Sequence, residues 1–113
     1  MGFSHGAISG NLVFVSGEVA LDSTGSVVGL GDIEMQTEIT FENIATVLQC
    51  AGASLKDIVY VTVYITDLAN YAAFRSTYAR IMDGHTPARA TLRCDLVIPG
   101  LLVEVQVIAV KNT

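Results

Sequence analysis

The stretch Ala88–Val110, ARATLRCDLVIPGLLVEVQVIAV, decides how this chain folds. In its second half, Leu101, Val103, Val105, Val107 and Ala109 alternate with positions that include Glu104 and Gln106. Successive side chains of a strand point to opposite faces, so Leu101 to Val110 predicts a strand with one apolar side. The first half, Ala88 to Leu96, alternates likewise: Ala88, Ala90, Leu92, Cys94 and Leu96 on one side, and Arg89, Thr91, Arg93 and Asp95 on the other. With the apolar sides of both strands against a common core, Arg89, Thr91, Glu104 and Gln106 are expected to share the opposite face. Pro87 sets the entry to the first of the two strands.

Upstream, a helix is predicted from about Asn70 to Met82, with Tyr71, Phe74, Tyr78 and Ile81 on one face and Gly84 ending it. Before it, Val59 to Ile65 (VYVTVYI) is β-branched, aromatic and alternating, and predicts a strand. Asp32 to Ala51 predicts a longer helix, because Ile33, Thr37, Phe41, Ile44, Leu48 and Ala51 recur at spacings of three and four. Asp32 suits its N-cap, Glu34 the positive end of its dipole, and Gly52 its end. Further upstream, Asn11 to Ser16 (NLVFVS) and Glu18 to Leu21 predict two strands about Gly17. Asp22-Ser23-Thr24-Gly25 has turn chemistry, and Val27-Val28 returns as a short strand. The order β-β-(β)-α-β-α-β-β predicts one α+β domain over residues 1–113, a single sheet with both helices on one face.

Of the 113 residues, 51% are hydrophobic and 15% charged, where a soluble domain usually carries about a quarter charged. So little charge on a small domain points to a surface covered by another chain. A net charge of -5 with six scattered basic residues argues against nucleic acid as a partner. Cys50 and Cys94 are far apart and only His5 and His85 are imidazoles, so spacing builds neither a disulfide framework nor a metal site, and no cofactor is implied. Both cysteines fall on apolar sides and are expected in the core. The apolar runs are too short to span a membrane, and no basic segment with a sustained apolar run opens the chain. Met1-Gly2 lacks the Ser or Thr that a myristoylation signal needs, Gly6 standing there instead. A cytoplasmic protein without a membrane partner is expected.

Pro87-Ala88-Arg89-Ala90-Thr91 followed by Val103-Glu104-Val105 resembles the C-terminal signature of the RidA (YjgF) family of reactive-intermediate deaminases. Val15-Ser16-Gly17, Ala51-Gly52-Ala53-Ser54-Leu55 and Val61-Thr62-Val63-Tyr64 support the resemblance, which runs from Phe3 to Val110. It implies a chorismate-mutase-like subunit and a homotrimer whose sheets pack around a central barrel, with ligand clefts between neighbours. It also implies hydrolysis of 2-imino acids and their enamine tautomers to 2-oxo acids and ammonia.

On this resemblance Arg89 is the anchor for the substrate carboxylate, to which a guanidinium offers a planar fork of donors. Glu104 is the carboxylate that orients the attacking water, and Ser16 a hydroxyl lining the pocket. The plainer alternatives are an ordinary strand Arg89 that pairs with Asp95 or a neighbouring chain, a Glu104 that pairs with Arg93 or caps a loop, and a turn role for Ser16. Three positions depart from the family pattern: Phe3 stands in place of a tyrosine, Thr91 in place of a cysteine and Arg75 in place of an asparagine. Thr91 keeps the backbone N–H of the residue it replaces. Arg75, turned into the cleft, would offer a second carboxylate a partner. Two other functions fit the same residues: a deaminase dedicated to an aminomuconate-like or aminoacrylate-like compound, and a non-catalytic member that binds a small carboxylate or a protein.

Overall fold

A computed structural model describes residues 4–111. Its strands are β1 (Gly6–Ser9), β2 (Leu12–Glu18), β3 (Ile58–Ile65), β4 (Ala88–Arg93) and β5 (Val103–Val110), and its helices α1 (Ile33–Cys50) and α2 (Tyr71–Met82). The five strands form one sheet in the order β1-β2-β5-β3-β4, antiparallel except for the parallel pair β3–β4. That pair is parallel because α2 carries the chain back over the sheet between the two strands.

Both helices lie on the same face, as predicted. Val13 and Val15 of β2, Val61, Val63 and Ile65 of β3, and Val103, Val105 and Val107 of β5 are buried with Phe41, Ile44 and Leu48 of α1 and Phe74 and Tyr78 of α2. Tyr78 meets Phe41 edge-on, with centroids 5.7 Å apart and planes at 65°, and packs against Phe74 at the same distance. Asp32 caps α1, its carboxylate accepting the Met35 N–H at 3.0 Å. Asp83 and Gly84 take left-handed backbone after α2, with φ of 48° and 86°, the conformation that stops a helix.

The ends of elements differ from expectation. The second of the two strands predicted about Gly17, Glu18 to Leu21, does not form beyond Glu18. The first runs on through Gly17 to Glu18 as β2, whose pairing with β5 is irregular between Val15 and Glu18. Its partner β1 was invisible because GAIS carries no clear alternation. The return at Val27 is reduced to a single bridge with Leu21. β4 stops at Arg93 instead of Leu96, and β5 starts at Val103 instead of Leu101. Cys50 and Cys94 are exposed, not core: Cys50 falls off the apolar stripe of α1, and Cys94 lies beyond the end of β4.

The main correction concerns β4. Arg89 pairs with Val61 and Thr91 with Val63, so both side chains lie on the helix-covered face. On the opposite side Ala88, Leu92 and Cys94 are exposed and Ala90 is half-buried, while Arg93 at the end of the helix side is exposed as well. Arg89 and Thr91 therefore do not share a face with Glu104 and Gln106, which pair with Tyr64 and Thr62 on the open side. An edge strand tolerates this inversion because a long arginine stem covers apolar surface while its head stays solvated.

Among the described residues no helix is long and apolar enough to cross a membrane, and no cluster of three or more His, Cys, Asp or Glu side chains could hold a metal ion.

Candidate functional site

Two groups of polar side chains stand out, one on each side of the sheet. The first gathers where β2 bends. Glu104 on β5 lies against the Gly17 backbone so closely that a Cβ there would collide with its carboxylate. Burial pushes the Glu104 carboxyl above the usual carboxylate range, and the charge of Glu18 pushes it further the same way. Glu18 is itself buried, with its Oε2 2.9 Å from Nδ1 of His5. The Ser16 hydroxyl donates to the Ser4 carbonyl. Ser16 also lines a groove of about 360 Å³ on the open face, with Phe14, Tyr60, Thr62 and Gln106.

The second group gathers where α2 meets β4. The Arg89 guanidinium lies over the Tyr78 ring, 4.8 Å from its centroid, and its Nη2 donates to the Tyr71 hydroxyl at 3.2 Å. Burial pushes the Tyr78 phenol up, partly opposed by the positive charge of Arg89. Stacking on one ring and bonding to a second fixes the guanidinium without using a carboxylate. Thr91 follows on the same side of β4, half-buried. A cleft of about 470 Å³ opens here, lined by Arg75, Tyr78, His85, Thr86, Pro87 and Arg89 among others. His85 donates its Nε2–H to the Ile58 carbonyl at 2.7 Å.

The structure thus brings Arg89, Arg75 and Tyr78 together at one cleft, and Ser16, Gly17 and Glu104 together at the bend of β2. It does not bring Arg89 to Glu104 within one chain. Within one chain the two ion pairs do not form: among the described residues Arg89 does not pair with Asp95, nor Glu104 with Arg93, and the pairs found are His5–Glu18 and those of Arg80 with Glu34 and Glu38. Phe3 lies outside the described residues.

Sequence reading missed three contributors. Tyr71 and Tyr78 had been assigned only to the packing face of α2, although a spacing of seven puts both beside β4. Glu18 gave no signal, because its burial against Glu104 follows from the irregular pairing of β2.

A family model described as endoribonuclease L-PSP matches residues 1–111, and the chain belongs to that family. Solved structures bear this out. A candidate endoribonuclease from Thermotoga maritima is 36% identical, with a TM-score of 0.90 over 98% of this chain and 87% of that one. YyfA from Yersinia pestis, a protein of unknown function in the conserved Rid family, is 33% identical, with a TM-score of 0.90 over 96% and 87%. TdcF from E. coli, solved with bound serine, is 29% identical, with a TM-score of 0.88 over 97% and 88%. The RidA resemblance and the subunit fold expected from it, two helices on one mixed five-stranded sheet, are therefore correct.

Proposed function

We propose that this protein hydrolyses 2-imino acids and their enamine tautomers to 2-oxo acids and ammonia, at sites shared between neighbouring copies of a homotrimer. One observation carries the reading: Arg89 is held from behind by two tyrosines and has no carboxylate of its own, beside an open cleft. A guanidinium fixed in this way binds a substrate carboxylate through paired donors at little ordering cost. TdcF, a relative solved with bound serine, supports a small amino-acid-derived ligand.

Glu104 supplies the other half. A carboxyl pushed up by burial is better suited than an ordinary one to take a proton and return it. Water held by Glu104 attacks C2 of the imine and gives its proton to the carboxylate, while the imine nitrogen gains a proton. The hydroxyl of the tetrahedral amino alcohol then gives its proton to the carboxylate, which passes a proton to nitrogen as the carbonyl forms, the C–N bond breaks and ammonia leaves. The balance is imine plus water to 2-oxo acid plus ammonia, with no redox partner. Because Arg89 and Glu104 lie on opposite faces of one sheet, a neighbouring copy supplies one of them.

Phe3, Arg75 and Thr91 favour a dedicated substrate over the broad range of a general deaminase. We assign no ribonuclease activity despite the family's description, since an acidic chain offers few cations to neutralise phosphates. The test couples an amino-acid oxidase, which releases 2-imino acids, to the purified protein and follows the imine with a nucleophilic trap. The protein should speed imine loss and reduce the trapped product. Binding of serine without any effect on imine loss would instead favour a carboxylate-binding role.

A further inference from the structure

We infer that the cleft between α2 and the start of β4 takes a ligand with two anionic groups, one on Arg89 and the second on Arg75. The inference rests on the reading of Arg89 as a carboxylate anchor and adds to it the class of ligand, a short dicarboxylate or its imino derivative.

Charge accounting leads there. The chain carries only six Lys and Arg against eleven Asp and Glu, so cations are outnumbered by carboxylates. Arg80 finds two, Glu38 at 3.5 Å and Glu34 at 3.7 Å. Arg75, on the same helix, forms no ion pair among the described residues, and neither does Arg89. Both line the same cleft, and among the described residues no Asp or Glu of the same chain lines it with them. Two like charges at one small concavity repel each other, a cost that an anion bridging them removes.

The geometry ties the two together through a single side chain. Tyr71 accepts the Arg89 hydrogen bond at its hydroxyl, while Arg75 lies over its ring, 5.7 Å from the centroid. Tyr71 and Arg75 are one helical turn apart, and that spacing puts them on the same face of α2. His85, also on the cleft, is tied back by its Nε2–H to the Ile58 carbonyl. What remains facing the cleft is a pair of guanidinium forks at different depths, Arg89 half-buried and Arg75 exposed. The inner fork suits the group next to the reacting carbon, and the outer one the far end of a short chain.

Titration calorimetry with succinate and butyrate, which have equal carbon counts but different charge, separates the two readings. On the intact protein succinate should bind about ten- to a hundred-fold tighter than butyrate, the worth of one more charge-assisted contact. Arg75→Gln should erase that advantage and leave butyrate unchanged, while Arg89→Gln should weaken both. Added salt should erode the succinate advantage more than butyrate binding, as Arg75 is the exposed fork. If Arg89→Gln weakens butyrate but succinate holds no advantage, or keeps it in Arg75→Gln, the two-anion inference is wrong and the Arg89 anchor stands. If Arg89→Gln changes neither ligand, or neither binds at millimolar concentration, both readings fail.

Discussion

Glu104 on β5 and Arg89 on β4 are separated in the sheet by β3 alone, yet their surroundings are opposite in almost every respect. Glu104 points to the open side, lies against Gly17, and is pushed toward its neutral form by burial and by Glu18. Arg89 points to the helix side, is stacked on Tyr78, and shares its cleft with a second cation. One region concentrates negative charge and the other positive charge, and the sheet keeps them apart. Complementary patches on different faces of one chain cannot pair with themselves. In the proposed assembly they would pair head to tail, the arrangement that closes into a ring when the rotation between copies allows it.

The sharpest way to break this comparison is complementation. Arg89→Ala and Glu104→Ala chains should each be nearly inactive in imine hydrolysis. Refolded together as mixed trimers, they should recover activity at about a quarter of the sites, where an Arg89-bearing copy meets a Glu104-bearing copy in the right order. No recovery, with trimers of mixed composition confirmed by mass, would place the two groups in one chain's site or remove one of them from the chemistry.

A second prediction tests how the cationic side holds its ligand. Arg89→Ala loses a charge-assisted contact of about 1.5–3 kcal/mol, or roughly ten- to a hundred-fold in kcat/KM. Arg89→Lys should recover little, because an ammonium can neither bind a carboxylate with two parallel donors nor stack on Tyr78 as a plane. Near-full activity in the lysine variant would mean that Arg89 contributes charge alone.

The same comparison explains how much of the molecule could be read from its residues. The Leu101–Val110 alternation placed Glu104 correctly, because β5 is central and its buried side must be apolar. The same rule misplaced Arg89 and Thr91. β4 is an edge strand whose open side carries Ala88 and Leu92, and its covered side accepts an arginine because α2 offers two tyrosines. Alternation gives the period of a strand, and the sign at an edge depends on partners far away in the chain. The RidA resemblance named both residues without regard to face. It could not indicate that Glu18 sits beside Glu104, since that follows from how β2 pairs with β5.

The smallest predicted effect concerns the anionic side and is read from stability alone. Burial first, and the charge of Glu18 second, raise the Glu104 pKa above its reference of 4.5. The folded protein therefore holds a proton on Glu104 over a range of pH in which the unfolded chain has released it. Stability falls with rising pH wherever the native state binds more protons, so this contribution is fully present below the unfolded value and lost as pH rises through the raised one. Glu104→Gln, which cannot titrate, should show no such loss. The difference in Tm between the intact protein and Glu104→Gln should shift in favour of the variant as pH rises above the reference value, then level off once pH exceeds the raised one. Glu18→Gln removes the charge but leaves most of the burial in place. It should shorten that window from its upper end without closing it, because burial is the larger of the two causes. A Tm difference between the intact protein and Glu104→Gln that stays flat across the range would mean that Glu104 ionises as freely in the folded protein as in water. The contrast with Arg89 would then be one of position only, and not of charge state.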